Sequence, residues 1–144
     1  MKNMSYGVKK KKILIIQDDQ ALNERICLAL GLAEYEIEKA FCLEEARNSY
    51  KKESFDLMLF DLNLPDGSGY DFLKEVRQES TVPILILTAN DLEIDIITEL
   101  GLEADDYVTK PFSLMVLRAR VEALLRCSSM DRERKQRSKK NSKK

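Results

Sequence analysis

The side chains of this chain best suited to chemistry are carboxylates, a hydroxyl and an ammonium, and each stands at the end of a short apolar run. Asp18 and Asp19 follow residues 13–16, Asp61 follows 57–60, Thr88 follows 84–87 and Lys110 follows 107–109. Carboxylates gathered together repel and raise one another's pKa unless a cation lies among them. Mg²⁺ suits such a set, being hard, oxygen-seeking and able to keep several waters. Asp18 and Asp61 would give carboxylate oxygens, and Asn63, two residues past Asp61, a turn carbonyl. A metal held by so few protein ligands leaves room for a phosphoryl group. An aspartate carboxylate is a competent nucleophile toward phosphorus, forming an acyl phosphate. Phosphoryl transfer asks for positioning and charge neutralisation more than covalent help. The Lys110 ammonium and the Thr88 hydroxyl would contribute to both, and the small Ala89 leaves space for the incoming group. Each residue alone also has a plain structural use. Asp18 or Asp19 could cap a helix, Asp61 could start a turn, Thr88 could be another cap and Lys110 a solvated end. Four strands ending in this set favours the chemical reading.

Composition removes other chemistries. The chain has no histidine, which excludes catalytic triads, His-ligated zinc and histidine phosphocarriers. Its three cysteines, Cys27, Cys42 and Cys127, are scattered and form no CxxC pair, as expected of reduced thiols in the cytoplasm. No apolar run approaches the roughly 20 residues of a membrane span. The net charge of −1 conceals an asymmetry. Basic residues crowd the two ends, leaving an acidic middle that does not bind nucleic acid through its own surface.

These residues need elements to position them. Runs 13–16, 57–60 and 84–87 lack polar alternation, so they read as strands buried on both faces. Residues 36–40 give a weaker strand, expected at an edge, and 107–109 a short fifth one. Between them, helical spacing covers 21–32, 43–52, 70–78, 92–100 and 114–126. Five βα repeats predict an α/β fold, a three-layer sandwich whose parallel sheet is ordered 2-1-3-4-5 as in flavodoxin-like proteins. That order lines the ends of strands one, three, four and five along one rim. Residues 1–12 are expected as a basic lead-in, 13–127 as the domain and 128–144 as a flexible basic linker or tail.

The set resembles the receiver domain of two-component response regulators. The matching residues are Gln17-Asp18-Asp19, Asp61 within Leu59-Phe60-Asp61-Leu62-Asn63-Leu64-Pro65-Asp66-Gly67, Thr88-Ala89 and Lys110-Pro111-Phe112. The stretch Ala104-Asp105-Asp106-Tyr107-Val108-Thr109-Lys110 is similar to the winged-helix (OmpR/PhoB-like) transcription-factor branch. The resemblance implies that Asp61 accepts a phosphoryl group from a sensor histidine kinase with Mg²⁺ bound. It implies that Thr88 and Tyr107 form a switch pair and that Lys110–Pro111 is cis. It further implies a homodimer through the fourth helix, fifth strand and fifth helix, with Asp106 and Arg120 on that face. Contact with DNA is expected only through a separate domain outside these residues, and no membrane partner is implied.

Three departures from the family pattern stand out. Gln17 stands where a first acidic residue is usual and is expected to weaken Mg²⁺ binding. Ile96, Val116 and Cys127 replace charged residues of the dimer face. Glu103 stands where a glycine is usual. Two other readings compete with a self-catalysed phosphoacceptor switch that is not otherwise an enzyme. One is a receiver-like interaction module that no longer uses phosphate. The other is an Asp-nucleophile phosphatase, disfavoured because Asn63 stands where that class places its second acid.

Overall fold

The computed structural model describes residues 10–141. Most of the expected lead-in and the last three residues of the expected tail lie outside that range. Five parallel strands form the sheet: β1 (Lys11–Ile16), β2 (Tyr35–Ala40), β3 (Leu57–Asp61), β6 (Ile84–Thr88) and β7 (Asp106–Thr109). Their order is β2-β1-β3-β6-β7. A two-stranded antiparallel hairpin, β4 (Asn63–Leu64) and β5 (Gly67–Ser68), stands apart from the sheet. With that hairpin set aside the order is the expected 2-1-3-4-5. Five helices alternate with the strands: α1 (Gln20–Leu30), α2 (Leu43–Lys52), α3 (Gly69–Arg77), α4 (Asp91–Glu99) and α5 (Leu114–Asn141).

Period-two alternation explains why the central strands read as unbroken apolar runs. Leu14, Ile16, Met58, Phe60, Ile84 and Ile86 face one core with Leu43 and Ala46 of α2, Phe72, Leu73 and Val76 of α3, and Ile97 of α4. Ile13, Ile15, Leu57, Leu59, Leu85 and Leu87 face the other, with Ile26 and Leu30 of α1 and Leu117 and Val121 of α5. Both faces of the sheet are therefore dry, and its strands end together on one rim.

Two boundaries differ from expectation. β1 begins at Lys11, two residues early, because the edge strand offers Tyr35 as its partner. The last helix does not stop near Arg126 but continues to Asn141. From residue 114 onward the chain contains neither glycine nor proline, and its Lys, Arg, Glu and Gln are good helix formers. Charge reads as tail, yet nothing in the sequence ends the helix. Among the described residues, no helix is long and apolar enough to cross a membrane.

Candidate functional site

The register of the central strands builds the site. Ile16 pairs with Phe60 and Asp61 with Leu87, so the residue after β1 and the last residues of β3 and β6 come to one rim. Asp61 is buried, only 4% exposed. The Lys110 ammonium reaches its Oδ2 across 49 residues of chain. Gln17 Nε2 donates to the same oxygen at 3.1 Å. The Asn63 backbone N–H points at Oδ1 at 3.4 Å. A buried carboxylate needs such partners, and here an ammonium and an amide supply them.

The turns that deliver these groups are determined locally. Gln17 is itself buried and its Oε1 accepts the Asp19 N–H at 3.0 Å, which fixes the amide's orientation. The buried Asn23 side chain donates to the Gln17 carbonyl at 3.0 Å and pins the β1–α1 turn. Asp19 caps α1 by accepting from Leu22 N–H at 3.1 Å. That settles which of the two neighbouring carboxylates caps the helix, and Asp18 stands exposed beside it. Beyond Asp61, Gly69 packs so close that a Cβ there would lie 2.6 Å from the Asp61 carbonyl oxygen. Only glycine lets α3 start directly against the end of β3. Lys110 leads into Pro111 through a cis peptide bond, as the resemblance implied.

Thr88 is fully buried at the end of β6. Its hydroxyl faces the Glu93 carboxylate and the Asn90 carbonyl, the latter at 2.8 Å. Glu93 also accepts the Ala89 N–H at 2.8 Å and the Asn63 side-chain amide at 3.2 Å. Burial would raise the Glu93 carboxyl, but these bonds from Thr88, Ala89 and Asn63 outweigh it and hold the group below its ordinary value. Asp61, Lys110 and Gln17 thus touch directly, whereas Thr88 is turned to Glu93.

Tyr107 is half-buried in β7 and packs against the core beneath α4, and burial pushes its phenol upward. Asp106 and Arg120 form an ion pair within this one chain, Nη1 to Oδ2 at 2.8 Å, although they are expected on the dimer face.

Two residues of the site escaped the sequence reading. Gln17 counted only as a lost charge, although it is a bonding partner of Asp61. Glu93 was missed altogether, although Asn90 followed three residues later by Glu93 is a helix-start signature that could have drawn attention to it.

The donor set fits a hard cation. The expected donors, the Asp18 and Asp61 carboxylates and the Asn63 carbonyl, are hard oxygens, and so small a set would suit an ion that keeps its water. Among the described residues no three or more His, Cys, Asp or Glu come together as a group that could hold a metal ion.

The response regulator receiver domain family matches residues 13–122. The transcriptional regulatory protein BasR of Escherichia coli is 42% identical over 116 residues, which are 80% of this chain and 52% of that protein. The non-phosphorylated receiver domain of HemR from Leptospira biflexa superposes with a TM-score of 0.71 at 37% identity, covering 81% of this chain and 94% of the other. DrrB of Thermotoga maritima, an OmpR/PhoB homologue, gives 0.74 at 28% identity over 83% of this chain and 54% of its own. The chain spans about half the length of the curated relatives it matches. The rim that carries Asp61 and Lys110 lies within the matched residues, and the relatives agree on what kind of domain this is: the chain belongs to the response regulator receiver domain family, beside relatives of the OmpR/PhoB type.

Proposed function

We propose that Asp61 accepts a phosphoryl group from the histidine of a sensor kinase and that the acyl phosphate switches an output surface controlling transcription. The observation that carries this reading is the contact of the Lys110 ammonium with buried Asp61, an arrangement that sets a cation beside a carboxylate nucleophile at the sheet rim. As the bond from Asp61 oxygen to phosphorus forms, the phosphorus–nitrogen bond of the donor breaks and its electron pair leaves on the imidazole nitrogen. Lys110 balances charge on the oxygens that move. Water later attacks phosphorus, releasing inorganic phosphate and restoring the carboxylate. Mg²⁺ held by Asp18, Asp61 and the Asn63 carbonyl would supply further charge neutralisation when bound. The Thr88 hydroxyl turns to the phosphoryl group, and Tyr107 moves into the space it leaves. The cytoplasm is the compartment that suits such an exchange and the three free cysteines. A homodimer through α4, β7 and α5 is the output state, and DNA contact belongs to a further domain.

Gln17 favours a second reading, an interaction module that has given up phosphate, because it removes one acidic residue from the rim. Acetyl phosphate with Mg²⁺ discriminates. Intact mass spectrometry is expected to show one added phosphoryl group in the wild type and none in Asp61→Asn. An unmodified wild type under the same treatment supports the module instead. Many turnovers of a small phosphate ester per protein would point to a phosphatase.

A further inference from the structure

We infer that Glu93 is an internal stand-in for the phosphoryl group, a latch whose carboxylate occupies the donors that the modified Asp61 needs. The inference rests on the phosphoacceptor reading and deepens it. A phosphoryl group on Asp61 presents anionic oxygens to the neighbouring strand end. The donors at that strand end are the Thr88 hydroxyl and the Ala89 N–H. Both lie against the Glu93 carboxylate, the Ala89 bond at 2.8 Å, with the Thr88 hydroxyl shared with the Asn90 carbonyl. The other Glu93 oxygen accepts from the Asn63 side chain at 3.2 Å, and the Asn63 backbone N–H points at Asp61 itself. One carboxylate therefore ties together the ends of β3 and β6 and the first turn of α4. Its bonds favour the ionised form, so an anion occupies these donors at neutral pH.

A structural explanation competes. Asn90 accepts the Glu93 N–H at 3.2 Å and so caps α4, with Glu93 a first-turn acid of that helix. A cap alone needs neither Thr88 nor Asn63, and Glu93 engages both. Exchange of one anion for another has a consequence that a cap lacks. When the phosphoryl oxygens take Thr88 and Ala89, Glu93 is released and the first turn of α4 loses its tether to the rim. The latch thus opposes modification and couples it to α4. Its removal strengthens phosphoryl binding by the coupling it imposes.

The test is a beryllofluoride titration in Mg²⁺ followed by amide NMR, on wild type, Glu93→Ala, Glu93→Gln and Asp95→Asn. The last removes a negative charge from an exposed position of the same helix. Glu93→Ala is expected to bind beryllofluoride roughly fivefold or more tightly than wild type. Glu93→Gln, which keeps an acceptor but no charge, falls between them, and Asp95→Asn matches wild type. Without ligand, the Ala89 amide proton of Glu93→Ala exchanges faster than in wild type. Equal or weaker binding in both Glu93 variants, with each still folded by circular dichroism, overturns the latch and leaves the phosphoacceptor reading intact. An equal gain in Asp95→Asn reduces the effect to bulk charge and also overturns it. Should no variant bind beryllofluoride, wild type included, the phosphoacceptor reading fails and the latch with it.

Discussion

Asp61 Oδ2 receives two donors, the Lys110 ammonium and the Gln17 amide, and this pairing makes Gln17 more than a missing acid. In the absence of metal, a neutral donor at position 17 stabilises the buried carboxylate. A carboxylate there would place a third negative charge beside Asp18 and Asp61 and leave Asp61 one donor short. Gln17 therefore shifts the balance toward a metal-free, fully bonded rim. The substitution Gln17→Glu, which keeps length and adds charge, is expected to lower Tm in EDTA. It is also expected to raise Mg²⁺ affinity several-fold, because ligand charge count governs the binding of hard cations. Thermal melts across a Mg²⁺ series check this. The variant begins below wild type and climbs more steeply with added metal. Parallel curves for the two proteins would show that Gln17 has no part in the metal balance.

At the scale of elements, the loop that follows Asp61 also holds a helix. Asp66, at the tip of the β4–β5 hairpin, accepts the Leu43 N–H at 2.7 Å and the Glu44 N–H at 3.0 Å, capping α2 from 22 residues away. The side chain at the helix's own cap position, Cys42, caps none of its backbone N–H groups. Those two backbone donors hold the Asp66 carboxyl below its ordinary value of 3.8. A depressed carboxylate contributes stability that is fully present above that ordinary value and is lost as pH falls through the lower folded-state value. Asp66→Ala is expected to be less stable than wild type at neutral pH, with the gap closing in acid below 3.8, read by urea unfolding at a series of pH values. A gap that persists unchanged into acid would mean that the charge plays no part. The same loop marks how far the sequence could be read. β3, β6 and β1 from Ile13 onward were visible because both faces are buried and the residues are apolar until the strand ends. That abrupt ending also marked out Asp61 and Thr88, and Lys110 stands likewise after the shorter β7. β2 gave little signal because it is an edge strand with alternate residues exposed. The β4–β5 hairpin gave none, since two residues a side carry no periodicity. Glu93 and Asp66 act on groups far along the chain or across a turn. On the sequence each reads as a solvated polar position, and only the fold turns it into a partner.

On the scale of the whole molecule, surface apolarity is concentrated at one edge of the sheet. Seven large apolar residues are exposed among those described, and five of them, Leu92, Ile96, Leu100, Met115 and Val116, belong to α4, its C-terminal cap residue and α5. Leu92, Ile96 and Leu100 recur every fourth residue, forming one stripe along α4. Between the two helices lies β7, a four-residue edge strand with one side unpaired. Covering this edge with a second copy would remove apolar surface from water, whereas the ion pair expected to join two copies is closed within one chain. Arg120 is closed onto Asp106 of its own chain. An interface of this composition behaves differently from one built on ion pairs. Exposed charge pairs are screened at high salt, and buried apolar area is not weakened in that way. In sedimentation equilibrium with saturating Mg²⁺ and beryllofluoride, the protein is expected to dimerise with an affinity nearly independent of salt. Ile96→Glu sets a charge in the middle of the stripe. It is expected to stay monomeric at the same loading while binding beryllofluoride, at dilutions where wild type is also monomeric, as tightly as wild type, because position 96 is exposed and makes none of the site's bonds. A dimer that dissociates steeply with added salt would assign the contact to charge, and an Ile96→Glu protein that dimerises like wild type would place the interface on another surface.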